Sequence, residues 1–284
     1  MKVAPCNYVQ VVRFIRKLRG NSQPVLVEGI DGIHYLLKFR NNPQGLNVSF
    51  NEAAGSELYR AFHLSVPRWE RLYISKSFLD RNRACWLVGP SGKVRPEYGL
   101  CFGARFITQS HSRAYEILPA SHHARIVNRH SFWLAWILDV CCGHVDHRQA
   151  VFVERGRGRL ESVFIDSGGL FGGSHGIDQP DPRTCTYIDA RIYPEITQDD
   201  LRVFIRKLGS LDTASFLARI RSLPLEWQTE TAVARLEQAL DSLQRSDHIE
   251  TLLGQLLHRS DAQIGRRANR GQETDASGAL YLSP

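Results

Sequence analysis

The sequence predicts an α+β protein in two lobes, a β-rich lobe followed by a mainly helical one. Three observations carry this. The N-terminal third reads as short strands around a single helix. A nearly continuous apolar run, Ser131 to Cys142, then reads as a buried helix. Beyond it the pattern is helical apart from one hairpin, so strands and helices are segregated rather than alternating. The division expected is 1–106 for the first lobe, 107–262 for the second and 263–284 for a polar tail rich in Gly, Ser and Arg, expected to be disordered.

Each element has its own warrant. Tyr8 to Leu18 carries apolar residues near helical spacing and is expected to be a helix. Pro24 to Val27 is a strand, Asp31-Gly32 a hairpin turn, and His34 to Arg40 (HYLLKFR) the returning strand. After the loop Asn41 to Gly45, a helix is expected from about Asn51, ending before Pro67. Trp69 to Ile74 and Leu100 to Ile107 read as strands. Past the apolar helix comes the polar loop Gly143 to Arg148. It leads into a hairpin made of Ala150 to Glu154, a turn at Gly156 to Gly158, and Leu160 to Ile165. Gly168, Gly169, Gly172 and Gly173 suggest a mobile loop. From Thr197 to about His258 the pattern is helical.

Composition narrows the function. With 284 residues, 43% hydrophobic and 23% charged, the chain has material for a real core, and fibrous or wholly disordered classes are excluded. No apolar run is long enough for a membrane helix, and no signal peptide is read at the N-terminus. The expectation is a cytoplasmic protein with no membrane partner, its six cysteines reduced and mostly buried. The net charge of +7 favours anionic partners without choosing among nucleotide, phosphate and nucleic acid.

Three residues stand out chemically. Alternation along YLLKF puts Lys38 on the face opposite Tyr35, Leu37 and Phe39. A helix carrying Glu52 and Glu57 follows, and a strand lysine paired with a helix glutamate is a means of fixing a cation over phosphates. Asp146 lies in the polar loop before the hairpin and Asp166 follows its last strand, so the hairpin can bring both carboxylates to one cleft. Phosphoryl transfer uses such a pair, one to orient the attacking hydroxyl and one to hold magnesium. Two turn-capping aspartates would look the same in sequence. Gln149 could add an amide oxygen to a metal. His144, His147, Cys141 and Cys142 have zinc-binding chemistry but lack a second paired set. No phosphate loop of the GxxxxGK[ST] type and no GxSxG elbow is present.

Taken together, the stretches PVLVEGIDGIHYLLKFRNNPQG, NEAAGSELYRAFHLSVP, CFGARF, HVDHRQAVFVE and VFIDSGG resemble the HipA-like kinases, a bacterial branch of the superfamily that also holds the protein kinases and phosphatidylinositol kinases. The resemblance implies a bilobal protein-kinase-like fold that binds ATP with Mg2+ between its lobes. It implies that Lys38 contacts phosphates with Glu52 as its ion-pair partner. It places CFGARF, with Phe102 and Gly103, at or near the hinge beside adenine. Asp146 would be the catalytic-loop aspartate and Asp166 the metal ligand opening a DxG-like segment. The loop departs from the family's N-x-D-R-H-x-x-N. Asp146 is followed by His147-Arg148, and Val151 stands where the asparagine would be, leaving Gln149 as a replacement in a shorter loop. The Gly-rich loop could be Gly29, Gly32 or the segment Gly20 to Ser22.

The function expected is transfer of the γ-phosphoryl group to a hydroxyl of an unknown protein or small-molecule acceptor, with Ser or Thr of a protein as the family default. The altered catalytic loop supports a second reading, a nucleotide-binding or scaffolding pseudokinase. A third, a nucleic-acid-associated regulator, rests on the basic charge and on Arg266, Arg267 and Arg270, and ranks last for want of a recognised binding motif.

Overall fold

Val9–Lys17 is a strand, β1, and not the expected helix. Its pairing with β2 (Val25–Gly29) shifts register twice, between Val11 and Arg13 and between Phe14 and Arg16. Each irregularity breaks the period-2 alternation, and the apolar residues left behind mimic helical spacing. The structure is a computed structural model that describes residues 8–107, 113–173 and 184–245.

From β2 the chain turns through Asp31-Gly32 into β3 (His34–Lys38). The Asp31 carboxylate accepts from the Ile33 amide at 3.1 Å and from the Tyr35 hydroxyl at 2.7 Å, which fixes the turn. Helix α1 (Val48–Ala61) follows, starting three residues earlier than the sequence suggested, then β4 (Trp69–Ile74). An excursion holds α2 (Lys76–Arg81), β5 (Leu87–Gly89) and β6 (Gly92–Val94) before β7 (Gly99–Arg105). The strands β1-β2-β3-β7-β4 close into a barrel, sealed by a short parallel pairing of β1 with β4. Val25, Val27, Tyr35, Leu37, Phe39 and Leu72 fill it, and Phe78, Leu79, Cys85 and Leu87 of the excursion belong to the same core.

The second body has a sheet of β8 (Ala114–Tyr115), β9 (Gln149–Glu154) and β10 (Leu160–Ile165), ordered β10-β9-β8. Its helices are α3 (Ser131–Cys141), α4 (Gln198–Gly209), α5 (Thr213–Ile220) and α6 (Glu230–Gln244). A second core runs from Phe50, Leu58 and Tyr59 of α1 through Phe132 and Phe164 to Leu236 and Leu240 of α6. Helix α1 is therefore buried from Val48 to Tyr59. Burial on all sides includes Asn51, Glu52, Ser56 and Glu57, and buried polar groups of that kind require partners.

The glycine segment after Asp166 is packed as far as Gly173, where the described residues break off. Leu170 and Phe171 are buried, and amides of Phe171 and Gly172 donate to the carbonyls of Cys142 and Gly143 at 2.8 and 2.9 Å. Apolar side chains between the glycines anchor what composition alone suggested was mobile. Among the described residues no helix is long and apolar enough to cross a membrane. The tail with Arg266, Arg267 and Arg270 lies outside the described residues.

Candidate active site

The partners that buried α1 requires are found at the loop after β10. The Lys38 ammonium pairs with the Glu52 carboxylate and, at 2.9 Å, with Oδ1 of Asp166, 128 residues away. Register places Lys38 on the outer face of the barrel while Leu37 and Phe39 point in. The side chains of Lys38 and Glu52 are 6% and 4% exposed; that of Asp166 is 34% exposed and opens to solvent. Burial alone would lower the Lys38 pKa, but Glu52 and Asp166 outweigh it and raise it. Asp166 is pushed up by burial and pulled further down by Lys38, so it stays ionised. Glu52 is raised, by burial first, with Lys38 opposing and the Asp166 charge adding. Two carboxylates share one cation.

Backbone bonds hold Asp166 from both sides. Its φ of +59° lies in the left-handed region, which costs a non-glycine residue roughly 1–2 kcal/mol. Before it, Arg148 donates to the carbonyls of Ile165 at 3.1 Å and Asp166 at 3.0 Å. After it, Glu52 accepts from the amides of Ser167 at 3.2 Å and Gly168 at 3.1 Å. Asn51 donates to the carbonyls of Gly168 at 3.1 Å and Leu170 at 2.9 Å. The close approach depends on Gly55, where a Cβ would stand 2.5 Å from Leu170 Cδ1 and 2.6 Å from Ser167 Cβ. A glycine inside a helix costs about 1 kcal/mol, and here it lets α1 lie against the loop.

Arg148 is buried and makes an ion pair with Asp139 of α3 at 3.0 Å. Tyr59 donates its hydroxyl to Asp139, and its ring lies 5.2 Å from the Arg148 guanidinium. Arg148 also donates to His144 Nε2, which leaves the ring proton on Nδ1, 2.6 Å from the Asp146 carbonyl. Burial lowers the His144 pKa and keeps the ring neutral, as this arrangement needs. Replacing Arg148 by methionine strands the Asp139 charge and two carbonyls. The expected cost is about 3–5 kcal/mol in urea unfolding, with much of it restored in Arg148→Met/Asp139→Leu. A single variant as stable as the parent would refute this account.

Asp146 is exposed, and its Oδ1 accepts from the His147 amide at 2.7 Å. Its loop is tied to the Asp166 loop through the Val145 amide and the Gly169 carbonyl, 2.9 Å. Both aspartates therefore sit at the same end of the β9–β10 hairpin. Gln149, the first residue of β9, is exposed and opposite Ile165, with its amide 3.3 Å from Asp166 Oδ2. Val151 lies further along β9, paired with Val163.

The structure thus brings together Lys38, Glu52, Asp166 and Gln149, with Asp146 on the adjoining loop. Glu57 is directed elsewhere, to Arg60, Trp69 and Arg219. Phe102 is the register partner of Lys38, but it is buried and stacked on Trp69 with centroids 5.7 Å apart. Gly103 faces the barrel interior, where a Cβ would meet Leu72 Cδ1 at 2.2 Å. On the Lys38 face Leu36 and Ala104 are half-buried and stand directly opposite one another. Of the three glycine segments, only Gly20 to Ser22 lies at the Lys38 end of the barrel. It forms the turn between β1 and β2 and is tied by Asn42 donating to the Ser22 carbonyl at 2.7 Å. Gly29 and Gly32 lie at the opposite end.

Sequence reasoning missed Asn51, Gly55, Tyr59, Asp139, Leu36 and Ala104. A glycine within a helical pattern was the one readable signal, for Gly55. Leu36 and Ala104 follow from alternation once the pairing is known.

A five-stranded barrel with one inserted helix, over a mainly helical body, with a strand lysine paired to the helix and to the loop after a hairpin, is a bilobal protein-kinase-like fold. One solved structure supports this fold. The crystal structure of the Helicobacter pylori proinflammatory kinase CtkA matches with a TM-score of 0.56 at 12% identity, over 86% of this chain and 96% of that one. A crystal structure of the Golgi casein kinase with Mn/ADP bound matches at 13% identity over 87% of this chain and 73% of that one. Its TM-score of 0.48 gives it no weight in the argument. No family model and no curated protein sequence matches.

Proposed function

We propose that the protein is an ATP-dependent phosphotransferase of the HipA-like kind, acting on a hydroxyl, with Ser or Thr of a protein as the acceptor. The observation that carries this is the bridge from Lys38 to both Glu52 and Asp166. It sets an ammonium beside an ionised, partly exposed carboxylate, at the barrel end that carries the turn Gly20 to Ser22. Lys38 would bind the phosphates, held in place by Glu52. Leu36 and Ala104 would face the adenine ring, a role moved from Phe102 and Gly103. Asp146 would accept a hydrogen bond from the acceptor hydroxyl and take up its proton as the phosphoryl group transfers.

The donors suit a hard divalent cation. Asp166 offers an ionised, partly open carboxylate, and rotation of the Gln149 amide would turn its oxygen to the same place. Among the described residues no cluster of three His, Cys, Asp or Glu forms an all-protein site. A cation here would take its other ligands from water and phosphate, as Mg2+ does. When bound, Mg2+ would neutralise phosphate charge.

The test is Asp146→Asn. Turnover of ATP is expected to fall by about 10²–10⁴-fold, with the affinity for Mg-ATP within about threefold of the parent. Equal turnover in both proteins would remove Asp146 from the chemistry. Mg-ATP binding with no turnover in the parent would make the protein a nucleotide-binding scaffold.

A further inference from the structure

The segment at the C-terminal end of the described chain contacts α1 and its flanks at three points. Lys207 of α4 donates to the Phe62 carbonyl just beyond α1 at 2.9 Å. Arg219 of α5 pairs with Glu57, in the middle of α1, at 3.3 Å. Thr229, the residue that caps α6, donates to Asn47 at the start of α1 at 2.8 Å. Start, middle and end of one helix are thus each held by a different partner.

The strand that carries Lys38 is backed from the same direction. Trp227 donates its indole N–H to the Leu100 carbonyl of β7 at 3.1 Å. Its ring lies 6.4 Å from Trp69, which stacks on Phe102, the register neighbour of Lys38. Trp69 also donates to Glu57 at 2.9 Å. Arg71 of β4 donates to the Ser222 carbonyl at 2.7 Å. Both halves of the Lys38–Glu52 pair are therefore supported by the segment 198–244.

We infer that this segment is a built-in strap whose residues Lys207, Arg219, Thr229 and Trp227 position Glu52, and through it Asp166. An outward swing of α1 would unpair Asn51, Glu52 and Glu57 together, all buried, so intermediate positions are disfavoured and the helix has one inward state. The strap holds it there without a ligand, and the nucleotide site is preformed rather than assembled on binding. The part of this that concerns nucleotide rests on the function proposed above; the part that concerns α1 does not.

The test compares the parent, Lys207→Ala/Arg219→Ala, and the conservative Lys207→Arg/Arg219→Lys. Arg219 is more than half exposed and Lys207 is half-buried at the surface, so the fold should survive and the melting temperature should stay within a few degrees. In the alanine pair, hydrogen exchange at the Ser167 and Gly168 amides, which bond to Glu52, is expected to rise about tenfold. Calorimetric affinity for Mg-ATP should weaken by about 5–20-fold. The conservative pair should restore both. Unchanged exchange at Ser167 and Gly168 would overturn the inference. So would a uniform rise over the whole chain with a lower melting temperature, which is general destabilisation. A parent that binds no Mg-ATP would defeat the proposed function, while the exchange result would still decide whether the strap positions α1.

Discussion

Replacing Lys38 by methionine is expected to destabilise the fold by about 3–5 kcal/mol at neutral pH, the range for removing one partner from a buried ion pair. The size follows from what is left behind. Glu52 is almost fully buried and Asp166 lies close to it, so two carboxylates would face each other without a cation. Without Lys38, burial and the Asp166 charge both push the Glu52 pKa up. The folded state then holds a proton that the unfolded state gives up at about pH 4.3. Between that value and the raised one the folded state binds more protons, so stability falls as pH rises. Urea unfolding of Lys38→Met at pH 5 and 7.5 should therefore show a smaller loss at pH 5. Adding Glu52→Gln should remove most of that pH dependence. A single variant equally destabilised at both pH values would contradict the shared-cation account.

Asp166→Ala should cost binding more than stability. Removing this carboxylate relieves the like-charge contact with Glu52 but gives up the stronger attraction to Lys38 that keeps Asp166 ionised, so the melting temperature should fall, though by less than in Lys38→Met, which leaves two carboxylates without a cation. The left-handed backbone at residue 166 remains supported by Arg148, Glu52 and Asn51. Affinity for ATP in the presence of Mg2+ is expected to fall by about 100-fold, since the ionised oxygen proposed to hold the cation is gone. Titration calorimetry with and without Mg2+ would show it. Metal-dependent binding that survives the substitution would place the cation elsewhere. The two variants thus weigh stability against binding: the larger loss of stability is expected without Lys38, the larger loss of metal-dependent binding without Asp166.

The elements most legible in the sequence were compact runs of apolar residues. Trp69–Ile74 and Leu160–Ile165 are strands with the bounds read from the sequence. Ser131–Cys141 is the buried helix that its apolar run implied. β1 was misread because two register irregularities disguise its period. The excursion between β4 and β7 was unread, since α2 has six residues and β5 and β6 three each, too short to show a period. The start of α1 was misplaced because Val48 to Phe50 are buried by tertiary neighbours rather than marked by a cap; Asn47 makes no side-chain cap bond.

The site divides along the same line. Lys38, Asp146, Gln149 and Asp166 were legible because each sits beside a strand end or hairpin whose local pattern is strong. Asp139 and Tyr59 were not, because one stands in an apolar helix and the other on a helix with no local sign that Arg148 faces both.

By itself the sequence determined the order of the longer elements from β2 onward, the face on which Lys38 stands and the hairpin that brings the two aspartates to one end. These follow from periods of two and 3.6 residues, which the chain displays locally. The tertiary structure alone decided that Asp166 joins Glu52 on Lys38, that Gly20 to Ser22 is the turn at the Lys38 end of the barrel, and that residues of 198–244 contact α1. The physical reason is that charge pairing and close approach act over a few ångströms of space between residues far apart in the chain. Which side chains come within that reach is set by how the two cores pack.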